Sequence, residues 1–390
     1  MISDPVELLK ELIRIPSVNP MGRDLAGPEY FETRLTEFLT SWFRELGVEL
    51  HVQNIDAGRS NLLAIWRNPN SSRTVLLDAH QDTVPIDGMT VPPFEAIERD
   101  GRMYGRGACD VKGGLAAMLS AFARIVREAP PAAANVLMSC TVDEESTARG
   151  IMELADWLVS EGCPVPRPDV AVIAEPTDLD VVVAHRGAVR WTIRTRGRAC
   201  HSSRPEDGEN AVYRMAKVLD RLETYAAGLS DRRAPHPLCG PCTFSVGLIG
   251  GGVSVNTVPD ECWIEVDRRI IPGEEAEEAR REVMAELESL PFPVEHEEPW
   301  IIGFALSDEQ NGDLSAALLA AISRTIGPRQ AVGVAYGTHA SRTARFGIPS
   351  VVFGPGSIAQ AHTKDEWIEI EQLQMAADVY FEFCRSAGED

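Results

Sequence analysis

Two stretches, TVLLDAHQDTVP (Thr74–Pro85) and GRGACDVKGGL (Gly105–Leu115), decide how the rest of the chain is read. The first is an apolar run, Val75-Leu76-Leu77, that breaks off at Asp78 and delivers His80 and Asp82 two residues apart. The second sets Asp110 among glycines 105, 107, 113 and 114, 28 residues beyond Asp82. A short apolar strand that ends in polar residues, then a glycine-rich turn into a helix, is the grammar of an open α/β sheet. In such sheets, sites form beyond the carboxyl ends of the strands.

Moving outward, the same grammar recurs. NVLMSCTV (135–142) runs into Asp143-Glu144-Glu145, DVAVIA (169–174) into Glu175-Pro176, and PSVVFG (349–354) into a loop that holds His362. Helical patterns separate them at 3–14, 28–46, 113–128, 148–160, 312–326 and 371–386. The alternation predicts an α/β fold with a mostly parallel sheet covered by helices. From Val181 the pattern changes: VVVAHRGAVRWTIRTRG reads as antiparallel strands, 208–227 and 274–289 as helices, 243–249 and 261–270 as strands. Two strand–helix–strand units predict an inserted α+β sandwich of the ferredoxin-like kind. We therefore expect residues 1–183 and 301–390 to form one domain and 184–300 an insert.

The charge narrows the partners. With 37 basic against 59 acidic residues the 390-residue chain carries a formal −22, which repels nucleic acid and anionic membranes. No apolar run reaches the roughly 18 residues of a membrane span, and MISDPVELLKELI lacks the basic start of a signal peptide. The expected compartment is the cytoplasm. Eight scattered cysteines suit reduced thiols better than a disulfide framework. Cys239-Gly-Pro-Cys242 spells a thioredoxin-type redox motif, but it follows Pro235 and Pro237 and precedes a strand-like run instead of opening a helix.

Each candidate residue also has an ordinary reading. Adjacent carboxylates such as Glu144-Glu145 are common on solvated surfaces; at the end of a buried strand they repel unless a cation or a proton relieves them. Asp110 reads as a helix N-cap or as a carboxylate held close to two ions by its glycines. Asp82, two residues from His80, can orient the imidazole, and Pro176 fixes an extended backbone at Glu175. His80, Asp110, Glu145, Glu175 and His362, each behind its own apolar run or turn, form a metal-type donor set as a group.

HQDTVP, GRGACDVKGG, DEE, AEPT, RGRACHSSRPEDGENAV, GGVSVNTVPDE and FGPGSIAQAHTKDEW, in order from residue 74 to 367, resemble stretches of the dinuclear-zinc M20 family. That family contains acetylornithine deacetylase, succinyl-diaminopimelate desuccinylase and the glutamate carboxypeptidases. The resemblance implies a hydrolase cleaving the amide of an N-acyl amino acid, with two Zn2+ per subunit and Co2+ or Mn2+ as substitutes. It makes Asp110 the bridge, His80 and Glu175 ligands of one ion, and Glu145 and His362 ligands of the other. Glu144 resembles the general base, and Asp82 the support of His80. In the insert, His201 resembles a histidine that reaches the partner subunit's site to stabilise the oxyanion, which requires a homodimer; a structural histidine is its plain alternative. Asn256 and Arg269 resemble residues that hold a substrate carboxylate, with Arg268 one position away, and Gly337 and Thr338 resemble a pocket-lining loop. His339 departs from the acidic residue many relatives carry there. Among subfamilies the stretches most resemble acetylornithine deacetylase of arginine biosynthesis, with the desuccinylase next. A non-catalytic relative and a Cys239/Cys242 thiol oxidoreductase are the readings from other classes.

Overall fold

A computed structural model describes residues 1–388, which divide into two units. The first unit comprises residues 1–183, 308–332 and, within the described chain, 338–388; the second comprises 184–307 and 333–337. The return to the first unit comes later than the expected residue 301, because Ile301–Gly303 form a strand that pairs with Gly187–Arg196. Residues 333–337 also join the second unit, which the sequence did not indicate.

The large sheet has eight strands, in the spatial order Glu49–Asp56, Arg59–Trp66, Asn135–Thr141, Thr74–His80, Val170–Ile173, Ser350–Val352, Val181–His185, Ala331–Val334. Its four central strands, Asn135–Thr141 to Ser350–Val352, run parallel. Antiparallel pairings flank them, so the sheet is mixed and the expected parallel pattern holds at the centre. The strands Thr74–His80 and Asn135–Thr141 are buried along their whole length, which is why their sequences are apolar runs and not alternations.

Helices cover this sheet. Pro5–Arg14 is capped by Asp4, whose carboxylate accepts from the N–H groups of Val6 and Glu7. Lys112–Glu128 is buried at every position from Lys112 to Ala123 and lies against the closing helix Ile370–Ser386. The second amphipathic helix begins at Thr33, not 28, because Phe31 takes a left-handed φ of 63° that breaks the helical path. The stretch from Val181 also splits: Val181–His185 joins the large sheet and only Gly187–Arg196 enters the small one.

In the second unit the small sheet is ordered Thr243–Gly251, Glu261–Ile270, Gly187–Arg196, Val294–His296, all antiparallel. Helices Ala211–Ala227 and Ala276–Leu287 pack on it. This is a β-α-β-β-α-β unit with the split arrangement of the ferredoxin-like sandwich. Among the described residues no helix is long and apolar enough to cross a membrane.

Candidate metal centre

Four ends of central strands and one staple bring the first-unit residues together. His80 is the last residue of Thr74–His80 and is buried. Its Nδ1 faces the main-chain oxygen of Asp82 at 2.9 Å, which leaves Nε2 to face Asp110 Oδ1 at 3.2 Å. Asp110 Oδ2 lies 3.2 Å from Nε2 of His362, and the same imidazole nitrogen lies 3.2 Å from Glu145 Oε2. His80, Asp110 and Glu175 can present donor atoms all within 4.8 Å of one another, and so can Asp110, Glu145 and His362. Asp110 belongs to both groups and turns one oxygen to each histidine.

The donor set fits two divalent cations. Two imidazoles and three carboxylates, with one carboxylate common to both groups, match the mixed nitrogen–oxygen preference of zinc and its neighbours. Glu145 Oε1 is buried and without a hydrogen-bond partner, as expected of an atom reserved for an ion. The electrostatics agree. Burial, then the neighbouring anions, pushes the carboxyls of Glu144 and Glu145 up to about 8 and about 7, and that of Glu175 well above the carboxylate range. Against its own burial, Asp110 is held below the usual carboxylate value by His362 and His80. His362 is lifted to about 11 by hydrogen bonds to Asp110 and Glu145. His80 is raised as well: burial opposes its charge, but the bond to Asp110 and the charges of Glu144 and Asp82 outweigh it. Such a concentration of buried anions calls for positive charge at this place.

Two further residues near the donor set have specific partners. Asp82 orients His80 through its backbone oxygen; its carboxylate oxygen stays 3.7 Å from the ring. The carboxylate instead accepts the N–H of Glu144 and of Glu145, both at 3.1 Å, and so holds the acidic turn. His339 is buried, and its Nδ1 lies 2.9 Å from Oδ2 of the buried Asp78.

Several supporting residues escaped the sequence reading. Glu366 is fully buried, and it accepts from the N–H groups of Gly107, Cys109 and Asp110 and from the Arg106 guanidinium, at 2.7–3.0 Å. It staples the loop that presents Asp110. The strand Trp367–Glu369 pairs with Arg102–Tyr104 and thereby carries Glu366 to that loop. Asp143, in the left-handed region at φ 64°, is gripped by Arg59, Thr147 and Asn19. The Arg59 guanidinium also lies 3.2 Å from the buried Glu32. Beside Glu175, a Cβ on Gly354 would sit 2.5 Å from that residue's carbonyl oxygen, so only glycine lets the neighbouring strand end approach.

The other candidates divide between the two units. Thr338 is in the first unit, buried, with its hydroxyl accepting from the Ala340 N–H. His201, Asn256, Arg269 and Gly337 belong to the second. His201 is exposed and, with Cys200, pairs with Thr257–Val258, next to Asn256. The adjacent arginines differ in burial. Arg268 is fully buried and committed to Tyr225, Glu274 and the Arg269 carbonyl, whereas Arg269 is half-buried beside Asp267 at 2.8 Å. Cys239 and Cys242 sit buried in a loop ahead of Thr243–Gly251 and open no helix.

Comparison with known proteins places this geometry in company. Residues 76–386 match the profile of peptidase family M20/M25/M40. The acetylornithine deacetylase of Photorhabdus laumondii subsp. laumondii is 32% identical over 403 residues, covering 98% of this chain and 97% of that protein. The acetylornithine deacetylase of Erwinia tasmaniensis is 30% identical over 398 residues, covering 97% of each. In fold, an M20 family metallo-carboxypeptidase from Sulfolobus solfataricus superposes with a TM-score of 0.78 at 18% identity, covering 98% of this chain and 99% of the other.

Proposed function

The chain belongs to peptidase family M20/M25/M40 and is a metal-dependent amidohydrolase, and from that premise we propose that it deacylates an N-acyl amino acid, with N-acetyl-L-ornithine as substrate. The single observation that carries the reading is Asp110 turning one carboxylate oxygen to each of two donor groups. His80 and Glu175 would hold one cation and Glu145 and His362 the other, zinc in the first instance. When bound, the pair supplies Lewis-acid polarisation of the scissile carbonyl and makes water a nucleophile near neutral pH.

The chain's own residues do the rest. Glu144, next to a ligand in sequence but outside both donor groups, takes a proton from the attacking water and returns it to the departing amine. Asp82 fixes the backbone beneath Glu144 while its carbonyl holds the tautomer of His80. Asn256 and Arg269 hold the substrate's carboxylate, an arginine fork being suited to it, and Gly337 and Thr338 line the pocket. His201 stabilises the oxyanion in the partner subunit's site of a homodimer. The exposed edge strand Thr243–Gly251, with Leu248, Ile249 and the neighbouring Val253 and Val255 open to solvent, supports a second copy as the partner. Cytoplasmic residence fits eight cysteines joined by no disulfide.

The test is amine release from a panel with zinc or cobalt supplied: N-acetylornithine, N-acetylcitrulline, other N-acetyl amino acids, N-succinyl-diaminopimelate and a glutamate-terminal dipeptide. Turnover of N-acetylornithine above all others, abolished by a chelator and restored by returned metal, is the expected result. Preference for the succinyl compound or the dipeptide overturns the substrate, and chelator-resistant turnover overturns the mechanism.

A further inference from the structure

We propose that Asn19 is a positioning residue for the reaction: its side-chain amide bridges Asp82 and Asp143, and through those two carboxylates it sets the backbone that carries Glu144 and Glu145. The inference rests on the roles proposed above for those two glutamates.

Asn19 lies in the loop Ile15–Pro20, which is stitched alongside the residues that follow His80. Ser17 Oγ donates to the Gln81 carbonyl at 2.7 Å, Thr83 N to the Ser17 carbonyl at 3.0 Å, and Asn19 N to the Thr83 carbonyl at 2.8 Å. The side chain is 1% exposed. Its Oδ1 accepts from Met21 N at 2.9 Å, which fixes the amide's orientation and turns Nδ2 inward. The two hydrogens of Nδ2 then go to Asp82 Oδ2 at 2.8 Å and Asp143 Oδ1 at 3.0 Å, exhausting its donors.

Both acceptors belong to the acidic turn. Asp82 holds the N–H of Glu144 with one oxygen and that of Glu145 with the other. Asp143, immediately before them, bends the chain through the left-handed region. The amide thus grips the turn at its start and along its first two residues. Its neutrality matters. Asp82, Asp143 and Glu32 are three buried carboxylates, and the Arg59 guanidinium pairs with only two of them, Asp143 and Glu32. A bridging group there must donate twice without adding negative charge, and an amide does so. Outer contacts of this kind typically carry about 10–100-fold in metal affinity or activity.

Asn19→Ala and Asn19→Asp separate a donor from a filler of space. Measured on the full chain with the preferred substrate of the panel, N19A is expected to lower kcat about 10–100-fold with KM within about twofold. N19D, though nearly the same size, is expected to fall further, because it places a third carboxylate against two. Calorimetric titration of metal-free N19A with zinc should show one of the two binding steps weakened, and thermal melting should show a folded protein. A packing role predicts the opposite order, with the isosteric N19D the more active, and that order overturns the proposal. So does parental kcat in either variant; if N19A fails to fold, N19D alone decides. The parent chain is titrated and assayed in parallel: a parent that binds no zinc and turns nothing over sinks the functional reading instead.

Discussion

Glu144 can be tested apart from its neighbour, because the two adjacent glutamates face different tasks. Glu145 shares His362 with Asp110, while Glu144 belongs to neither donor group. Glu144→Gln should therefore keep both metals by elemental analysis and lose about 10²–10⁴-fold in kcat; undiminished turnover would remove it as the general base. Glu366 gives a second prediction of a different kind. Glu366→Gln leaves the oxygen-for-nitrogen position unable to accept from two of its four buried donors, which costs about 2–4 kcal/mol of folding stability in chemical denaturation. An unchanged midpoint would show that the Asp110 loop holds itself. At this scale the residues of the two donor groups were legible, since each follows an apolar run or a glycine turn. Glu366, Asn19 and the Asp78–His339 pair were not. Their partners lie tens to hundreds of residues away and meet only in the folded chain, for Glu366 through the pairing of Trp367 with Tyr104.

At the level of elements, the buried parallel strands were readable because burial on both faces demands unbroken apolar runs. The fate of Val181–His185 was not readable. Its sequence suits either sheet, and what decides is the pairing of Val182 with Val352. The start of the second amphipathic helix was misjudged for a local reason, the left-handed turn at Phe31. One short strand also makes a prediction about acid. In Val294–His296, burial and then the charge of Arg280 depress His296 from 6.5 to about 4, and its Nδ1 accepts from the indole of the buried Trp191. Between those two pH values the unfolded chain binds a proton that the folded chain refuses, so stability falls as pH drops through 6.5 toward 4. Melting temperatures at pH 7 and pH 5 should differ more in the parent than in His296→Gln, which keeps an acceptor but cannot charge. Equal differences would mean other groups set the acid response.

For the molecule as a whole, the rhythm of the sequence changes near Val181, and the second unit begins at Ala184. The later boundary was blurred because Ile301–Gly303 is too short to announce which sheet it joins. The exposed edge of the second unit predicts association. The parent should sediment at twice its 42.6 kDa, and Ile249→Lys combined with Val255→Asp should sediment as the monomer. A parent that sediments as a monomer would withdraw the partner subunit from the proposed chemistry.

The interrupted first unit has a consequence during synthesis. A ribosome makes residues 184–307 in full before it reaches His362, Glu366 and the helix Ile370–Ser386 that packs along Lys112–Glu128. The second unit can settle while the earlier one still waits, its Asp110 loop unstapled and one histidine short. Nascent chains at that stage leave the face of Lys112–Glu128 that meets Ile370–Ser386 uncovered, the kind of surface chaperones bind, and the donor set is complete only once His362 has been made.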